Sequence, residues 1–339
     1  MSALVGCHGA SAPRTAYFDE DHVETINGTR LHYRVRGWNR NHPYLLVLHG
    51  GPGSSAFEFY PWGEALEREI NVIYLDQRGC GQSEHARFAA TTPTAAEAAP
   101  FSFANLVRDL EGVREHLRID RWYVLGHSFG GMYGIEYVLA HPERVIAYIH
   151  MSGLLSVPMI DEDWLVYAKR SLAETARLDP NEQPRINEVR TAIAKLYSMP
   201  QVERDARIGP LVIDKLRPEM TRDRFDAANT YDGRIDAEVV RRYKVSPELF
   251  GSPEPRRALA VIEHFATRDI VDALPRISRP TLILGGAQDP IVPPNRNRLA
   301  HERIPRSQLL IVDRAGHEIY KDQPRATAEA VLAFVRANP

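Results

Sequence analysis

Three side chains, met in one order along the chain, have the types and setting for nucleophilic acyl chemistry. The first is Ser128, in the stretch Gly126-His127-Ser128-Phe129-Gly130. An apolar run, WYVLG (122–126), precedes it and a helix-like segment follows. G-x-S-x-G between a strand and a helix is the setting of a nucleophile elbow, a strained turn that holds the serine oxygen above a sheet. The bland alternative is a small-residue turn that packs a helix on a strand. A serine hydroxyl is a poor nucleophile at neutral pH, so it needs a histidine to take its proton and an acid to orient that histidine. In LILGGAQDPIVPP (282–294), Asp289 lies 161 residues after the serine, just beyond an apolar run. His317, in IVDRAGHEIY (311–320), follows the next run, 28 residues further on. An Asp before Pro is usually a turn residue, and a loop histidine is usually only solvated. Together, in the order serine, acid, histidine and at successive strand ends, they make Ser128, Asp289 and His317 the candidate catalytic residues. Asp313 and Asp272 are rival acids.

Attack on a carbonyl creates an oxyanion that needs donors. The stretch VLHGGPGSSAF (47–57) places three glycines and a proline directly after an apolar run, where bare backbone can approach a ligand closely. The backbone N–H of Gly51 and that of Phe129, the residue after the nucleophile, are the candidate oxyanion hole. Two other histidines, His49 and His127, are expected to be structural, and Cys80 a buried bystander thiol.

These residues require a scaffold. HVETINGTRLHYRVRG (22–37) alternates apolar and polar residues about Asn27-Gly28, a hairpin signature. Continuous apolar runs follow at 44–50, 70–76, 122–126, 144–152, 281–286 and 308–313, separated by amphipathic stretches such as FANLVRDLEGVREHL (103–117). That alternation predicts an α/β protein with a mostly parallel sheet covered by helices on both faces. Between 153 and 275 the strand signals give way to helical patterns, such as 161–178 and 188–199. An insertion of this size is expected to form a helical cap over the strand ends, where open α/β sheets bind ligands. The expected division is therefore a first core part, 1–152 with a poorly ordered leader over 1–20, the cap, 153–275, and a second core part, 276–339. The Ala/Thr/Pro-rich stretch 87–100 reads as a flexible loop.

The 339 residues are 44% hydrophobic and 25% charged, with a formal net charge of −2. This balance gives no electrostatic reason to expect nucleic acid or an anionic membrane as a partner, and favours a small-molecule or short-peptide substrate. Two widely spaced cysteines suggest neither a disulfide framework nor a zinc site, and suit a reducing, cytoplasmic setting. No cofactor and no metal is expected. The sequence carries no indication of oligomeric state.

Taken together, HGGPG (49–53), YLDQRGCGQS (74–83), LVRDLEGVREHLRIDRWYVLGHSFGG (106–131) and DRAGH (313–317) resemble the prolyl iminopeptidase family of α/β-hydrolases. The resemblance covers roughly 22–155 and 276–335. It implies the α/β-hydrolase fold, an eight-stranded, mostly parallel sheet with an inserted cap. It also implies a metal-free Ser-Asp-His serine peptidase that releases an amino-terminal residue, often proline, from short peptides. The elbow is GHSFG, where proline-specific members commonly carry GGSWG, and Ser54-Ser55 follow the HGGPG stretch in place of more glycine. An aminopeptidase must hold a free ammonium, and carboxylates suit that task because a buried cation requires opposite charge. VIEHFA (261–266) looks like the cap glutamate motif of such peptidases, which makes Glu263 the candidate substrate-binding residue; the alternative is a glutamate on a solvated helical face. An esterase, a lactonase or a carbon–carbon bond hydrolase would use the same three residues. A non-catalytic ligand receptor on the same fold is the remaining alternative.

Overall fold

The computed structural model describes residues 16–159, 254–263 and 265–339, with Asp163, Ser252 and a few isolated positions between them. Most of the expected cap, including the helical stretches 161–178 and 188–199, and most of the expected leader lie outside the described residues.

Asn27, at a φ of 48°, and Gly28, at 75°, form the two-residue turn that joins β1 (Phe18–Ile26) to β2 (Thr29–Gly37). Both central residues at positive φ match the right-handed twist of a hairpin, and the register runs unbroken from Phe18 against Gly37 to Ile26 against Thr29. The hairpin begins at Phe18, so β1 takes in the last residues of the stretch read as a leader. After it come β3 (Tyr44–Leu48), β4 (Asn71–Leu75), β5 (Trp122–His127), β6 (Val145–Met151), β7 (Thr281–Gly286) and β8 (Ser307–Val312). All eight strands form one sheet in the order β1-β2-β4-β3-β5-β6-β7-β8. Only the β1/β2 and β2/β4 pairs are antiparallel; the other five are parallel.

The apolar runs are continuous because both faces of the sheet are covered. Leu46, Leu48, Trp122 and Val124 enter one core with α1 (Phe103–His116) and α2 (Phe129–Ala140). Their neighbours Leu45, Val47, Tyr123 and Leu125 enter the other, where Phe334 and Val335 of the C-terminal helix (Pro324–Ala337) pack. In α1 the buried residues Phe103, Leu106, Val107, Leu110 and Val113 recur at helical spacing, and the Ser102 side chain accepts from the Asn105 N–H to cap the first turn.

One expected loop holds structure. Within 87–100, Thr94 and Glu97 form a capping box that starts a single helical turn, Ala95–Ala98, and Ala98 is buried with Phe101 and Ala258. Ala258 belongs to α3 (Glu254–Ile262), whose burial against this stretch supplies the apolar contact that a Thr/Ala-rich loop lacks by itself. Among the described residues no helix is long and apolar enough to cross a membrane.

Candidate active site

Every element that the chemistry needs ends at the carboxyl edge of this sheet. Ser128 sits between β5 and α2 at φ 53° and ψ −120°, a backbone conformation seldom adopted by a residue with a side chain. The turn survives because its neighbours leave no room for relaxation and demand none. A Cβ on Gly130 would lie 2.2 Å from the Leu48 carbonyl oxygen, so only glycine lets α2 start this close to β3. The Ser128 N–H donates to the Met151 carbonyl, and the Gly131 and Leu154 N–H groups donate to the Ser128 carbonyl.

The loop after β7 carries Asp289, whose side chain is completely buried. Its Oδ1 accepts from the backbone N–H groups of Ile291 and Val292 at 2.8 and 2.9 Å, and its Oδ2 accepts from His317 Nδ1 at 2.9 Å. Three donors hold the carboxylate in one orientation, and the contact leaves Nε2 of His317 as the nitrogen free to exchange a proton. Burial pushes the His317 imidazole down, but the charge and hydrogen bond of Asp289 outweigh it, so the group is held above its usual range. Of the rival acids, Asp313 and Asp272 both point to solvent. The structure thus joins Asp289, and neither rival, to His317.

His127 lies between the glycine loop, where a Cβ on Gly50 would be 3.3 Å from its Nδ1, and the histidine loop, with its ring 4.9 Å from that of His317. Burial keeps its imidazole neutral, and its Nε2–H donates to the His317 carbonyl at 3.1 Å. Its ring packs on Phe59 and Tyr320. This residue carries the backbone of His317, a job with no local sequence signal.

The glycine loop lies across Ser128: a Cβ built on Gly50 would be 3.1 Å from Ser128 Cβ and 3.5 Å from its Oγ. Gly51 has φ 120°, and a Cβ there would meet the Gly53 nitrogen at 2.4 Å. The bend is therefore open only to glycine, and the Gly51–Pro52 peptide is cis. Phe129 opens α2, so its N–H is one of the helix's unpaired N-terminal donors.

What holds this loop is the stretch Asp76-Gln77-Arg78, which sequence reasoning used only as a family signature. His49 donates from Nδ1 to the Gly50 carbonyl and accepts at Nε2 from the Gln77 N–H, while Gln77 Nε2 donates to the His49 carbonyl at 2.7 Å. Burial holds His49 below its usual range, which suits the neutral tautomer that this pattern requires. Asp76, buried, accepts from Ser55 Oγ, Ala56 N–H, Gln82 N–H and His32 Nδ1, all within 2.9 Å. Arg78 makes a two-pronged pair with Asp109 of α1 and donates to the Asn27 carbonyl. The oxyanion loop is thereby tied to the hairpin turn and to α1. From the cap side, the Ser252 N–H donates to the Gly53 carbonyl at 2.7 Å.

Glu263 follows α3. Its Oε1 accepts from the Phe103 N–H at 3.0 Å, an anion at the N-terminus of α1, and its Oε2 faces Arg268 at 3.2 Å. Arg268 also pairs with Glu136 and lies 3.9 Å over the Phe103 ring. Phe103 packs edge-on against Phe129, which also meets Phe265 and Tyr133. Both oxygens of Glu263 are thus engaged, one of them by the backbone of the residue whose ring packs on Phe129. Cys80 is fully buried, and burial pushes its thiol far up.

A buried serine in a strained elbow, a histidine oriented by a buried carboxylate and an adjacent glycine loop together have the parts for acyl transfer. No group of His, Cys, Asp and Glu among the described residues could hold a metal ion. Comparison with known proteins agrees with this fold. A sequence model of the alpha/beta hydrolase fold family matches residues 43–324. A proline iminopeptidase of Saccharolobus solfataricus is 27% identical over 328 residues, covering 93% of this chain and 92% of its own. The crystal structure of a proline iminopeptidase from Mycobacterium smegmatis superimposes with a TM-score of 0.68 at 19% identity, over 94% of this chain and 98% of its own. That of a proline iminopeptidase-related protein from Thermus thermophilus gives 0.67 at 22% identity, over 95% and 98%.

Proposed function

The chain belongs to the alpha/beta hydrolase fold family, and from that premise we propose that it is a serine aminopeptidase of the prolyl iminopeptidase type. The observation that supports the serine-hydrolase part of this reading is the 2.9 Å bond from His317 to the buried, doubly amide-bonded Asp289, with Ser128 in its elbow. In this mechanism His317 Nε2 takes the Ser128 proton as Oγ attacks the carbonyl of the amino-terminal residue. The Gly51 and Phe129 N–H groups hold the oxyanion. The resulting imidazolium, stabilised by Asp289, gives its proton to the leaving amine and the C–N bond breaks. His317 then deprotonates a water that attacks the acyl-enzyme, and Ser128 is regenerated with release of the free amino acid.

The peptidase assignment rests on the motif resemblance, on the names of the relatives and on the charge around Glu263. Among the described residues, Glu136 and Glu263 flank one guanidinium, Arg268, a pair of carboxylates to a single cation. A substrate ammonium would supply the second. The test is a set of matched proline and alanine naphthylamides, each with free and acetylated amino termini, beside a nitrophenyl ester. Turnover of the free-amine amides alone is the expected result. Cleavage of the ester alone would make the protein an esterase with the same three residues.

A further inference from the structure

His32, on β2, takes no part in the mechanism above, yet its ring joins the hairpin to the carboxylate that holds the oxyanion loop. The side chain is 1% exposed and lies between two carboxylates. Nδ1 is 2.8 Å from Asp76 Oδ2, and Nε2 is 2.6 Å from Oδ1 of Asp21 on β1. A carboxylate oxygen only accepts, so each ring nitrogen has to donate, and a neutral imidazole has one N–H to give. Two donated bonds require the doubly protonated ring, the imidazolium. The two carboxylates differ in setting: the Asp76 side chain is 3% exposed and that of Asp21 59%. Around Asp76 the remaining contacts also run one way. Its Oδ1 accepts from the Ser55 hydroxyl and the Ala56 N–H, and its Oδ2 from the Gln82 N–H. A proton on either oxygen would point at a donor and break one of these contacts, so the arrangement requires Asp76 to stay ionised.

Resting on the reading of 47–57 as the oxyanion loop, we propose that His32 is a positioning residue for the reaction: as a fixed cation between Asp21 and Asp76 it keeps Asp76 ionised, and with it the anchor of Ser55 and Ala56 at the end of that loop. A buried carboxylate needs a partner charge, and here the partner's protonation is set from the surface by Asp21. Burial pushes the His32 imidazole down, but Asp76 and, after it, Asp21 outweigh burial and hold the group above its usual range. Burial likewise pushes the Asp76 carboxyl up, and the hydrogen bond and charge of His32 bring it below the usual carboxylate range. Two residues to either side on β2, Arg30 and Arg34 pair with Glu84 and Asp19. The Tyr60 phenol, which feels the charge of both Asp76 and Asp21, is neutral because burial pushes it far up. When His32 loses its second proton, Nδ1–H stays on Asp76 and the Nε2 lone pair faces Asp21. The exposed Asp21 can then swing into water, and the Gln82 amide, whose Nε2 is 3.3 Å from His32 Nε2, can donate in its place. Asp76 keeps a hydrogen bond and loses its counter-charge. The sign follows from the raised value: the clamp is fully present below the unfolded histidine value of about 6.5 and is lost as pH rises through that of the folded protein.

Asp21→Asn changes an exposed residue and removes the outer charge without touching Asp76. In the unaltered protein the His32 ring signals should titrate above the ordinary histidine range by NMR, and the Ala56 and Gln82 amide signals, which point at Asp76, should follow the same midpoint. Asp21→Asn should lower that midpoint by about one pH unit, and the alkaline fall in kcat should move down by the same interval with KM unchanged. His32→Gln, which can donate to Asp76 but carries no charge, should lower kcat by about tenfold at neutral pH and remove that alkaline fall. A His32 midpoint at or below the ordinary range, or one unmoved by Asp21→Asn, would overturn the proposal, as would a kcat profile that ignores both substitutions. Absence of hydrolase activity with the His32 and Ala56 titrations still linked would instead count against the catalytic reading and leave the clamp on Asp76 standing.

Discussion

Two polar regions of the molecule are built differently: one holds the glycine loop against Ser128, and the other reaches Phe129 through the Phe103 ring. The oxyanion side is a buried network in which backbone groups are partners at nearly every step: His49 and Gln77 exchange hydrogen bonds through main-chain atoms, and Asp76 takes four donors, two of them backbone amides. The Glu263 side is a chain of half-buried ion pairs, Glu263–Arg268–Glu136, whose side chains are each about a quarter exposed. Buried hydrogen bonds to the main chain fix atoms in place, because leaving any one unmade costs on the order of 1–3 kcal/mol. Partly exposed ion pairs are weaker and can exchange partners, typically contributing about 1 kcal/mol or less. The rigid side suits bond making, where sub-ångström placement matters; on the proposed aminopeptidase reading, the exchangeable side is where the substrate ammonium would enter and leave.

Substitutions sharpen that contrast. Asp289→Asn should be the most damaging, lowering kcat by about 10⁴-fold with little loss of stability, because the asparagine amide favours the wrong tautomer of His317. Steady-state kinetics beside a thermal melt separates the two effects. Gln77→Ala removes the donor to the His49 carbonyl without touching Ser128. It should reduce kcat by about tenfold to a hundredfold through a loosened glycine loop, with about 1–3 kcal/mol of stability lost to the unsatisfied carbonyl. A normal kcat in a destabilised protein would show that the network supports the fold only. Glu263→Gln should be mildest: KM for free-amine amides rises about tenfold, the equivalent of roughly 1.4 kcal/mol, with acetylated substrates unaffected. Equal change for both substrates would assign Glu263 to the α1 N-terminus alone, where it accepts the Phe103 N–H.

The same contrast explains what could be read from the sequence. The strand runs were legible because a doubly covered sheet needs uninterrupted apolar residues, and the hairpin because Asn27-Gly28 has little other use between alternating stretches. Ser128, Asp289 and His317 were legible because each must follow a strand, and strands can be found. The structure adds that Asp289 is enclosed while Asp313 and Asp272 face solvent, a distinction of burial that spacing cannot carry. The His49–Gln77 exchange was hidden, since it joins two loops 28 residues apart through main-chain atoms. The helical turn at Ala95–Ala98 was missed because its apolar partner, Ala258, lies far along the chain. Glu263 could be picked out as a carboxylate within the expected cap; Arg268 follows only five residues later, but the Phe103 N–H that Glu263 accepts comes from 160 residues earlier in the chain.

The central claim, that Ser128 is a nucleophile activated by His317 and Asp289, is tested most directly by a fluorophosphonate probe followed by peptide mass mapping. A single adduct on Ser128, absent in Ser128→Ala and formed far more slowly in Asp289→Asn, is the predicted result. A folded protein whose Ser128 stays unlabelled, or one labelled equally fast without Asp289, would contradict it.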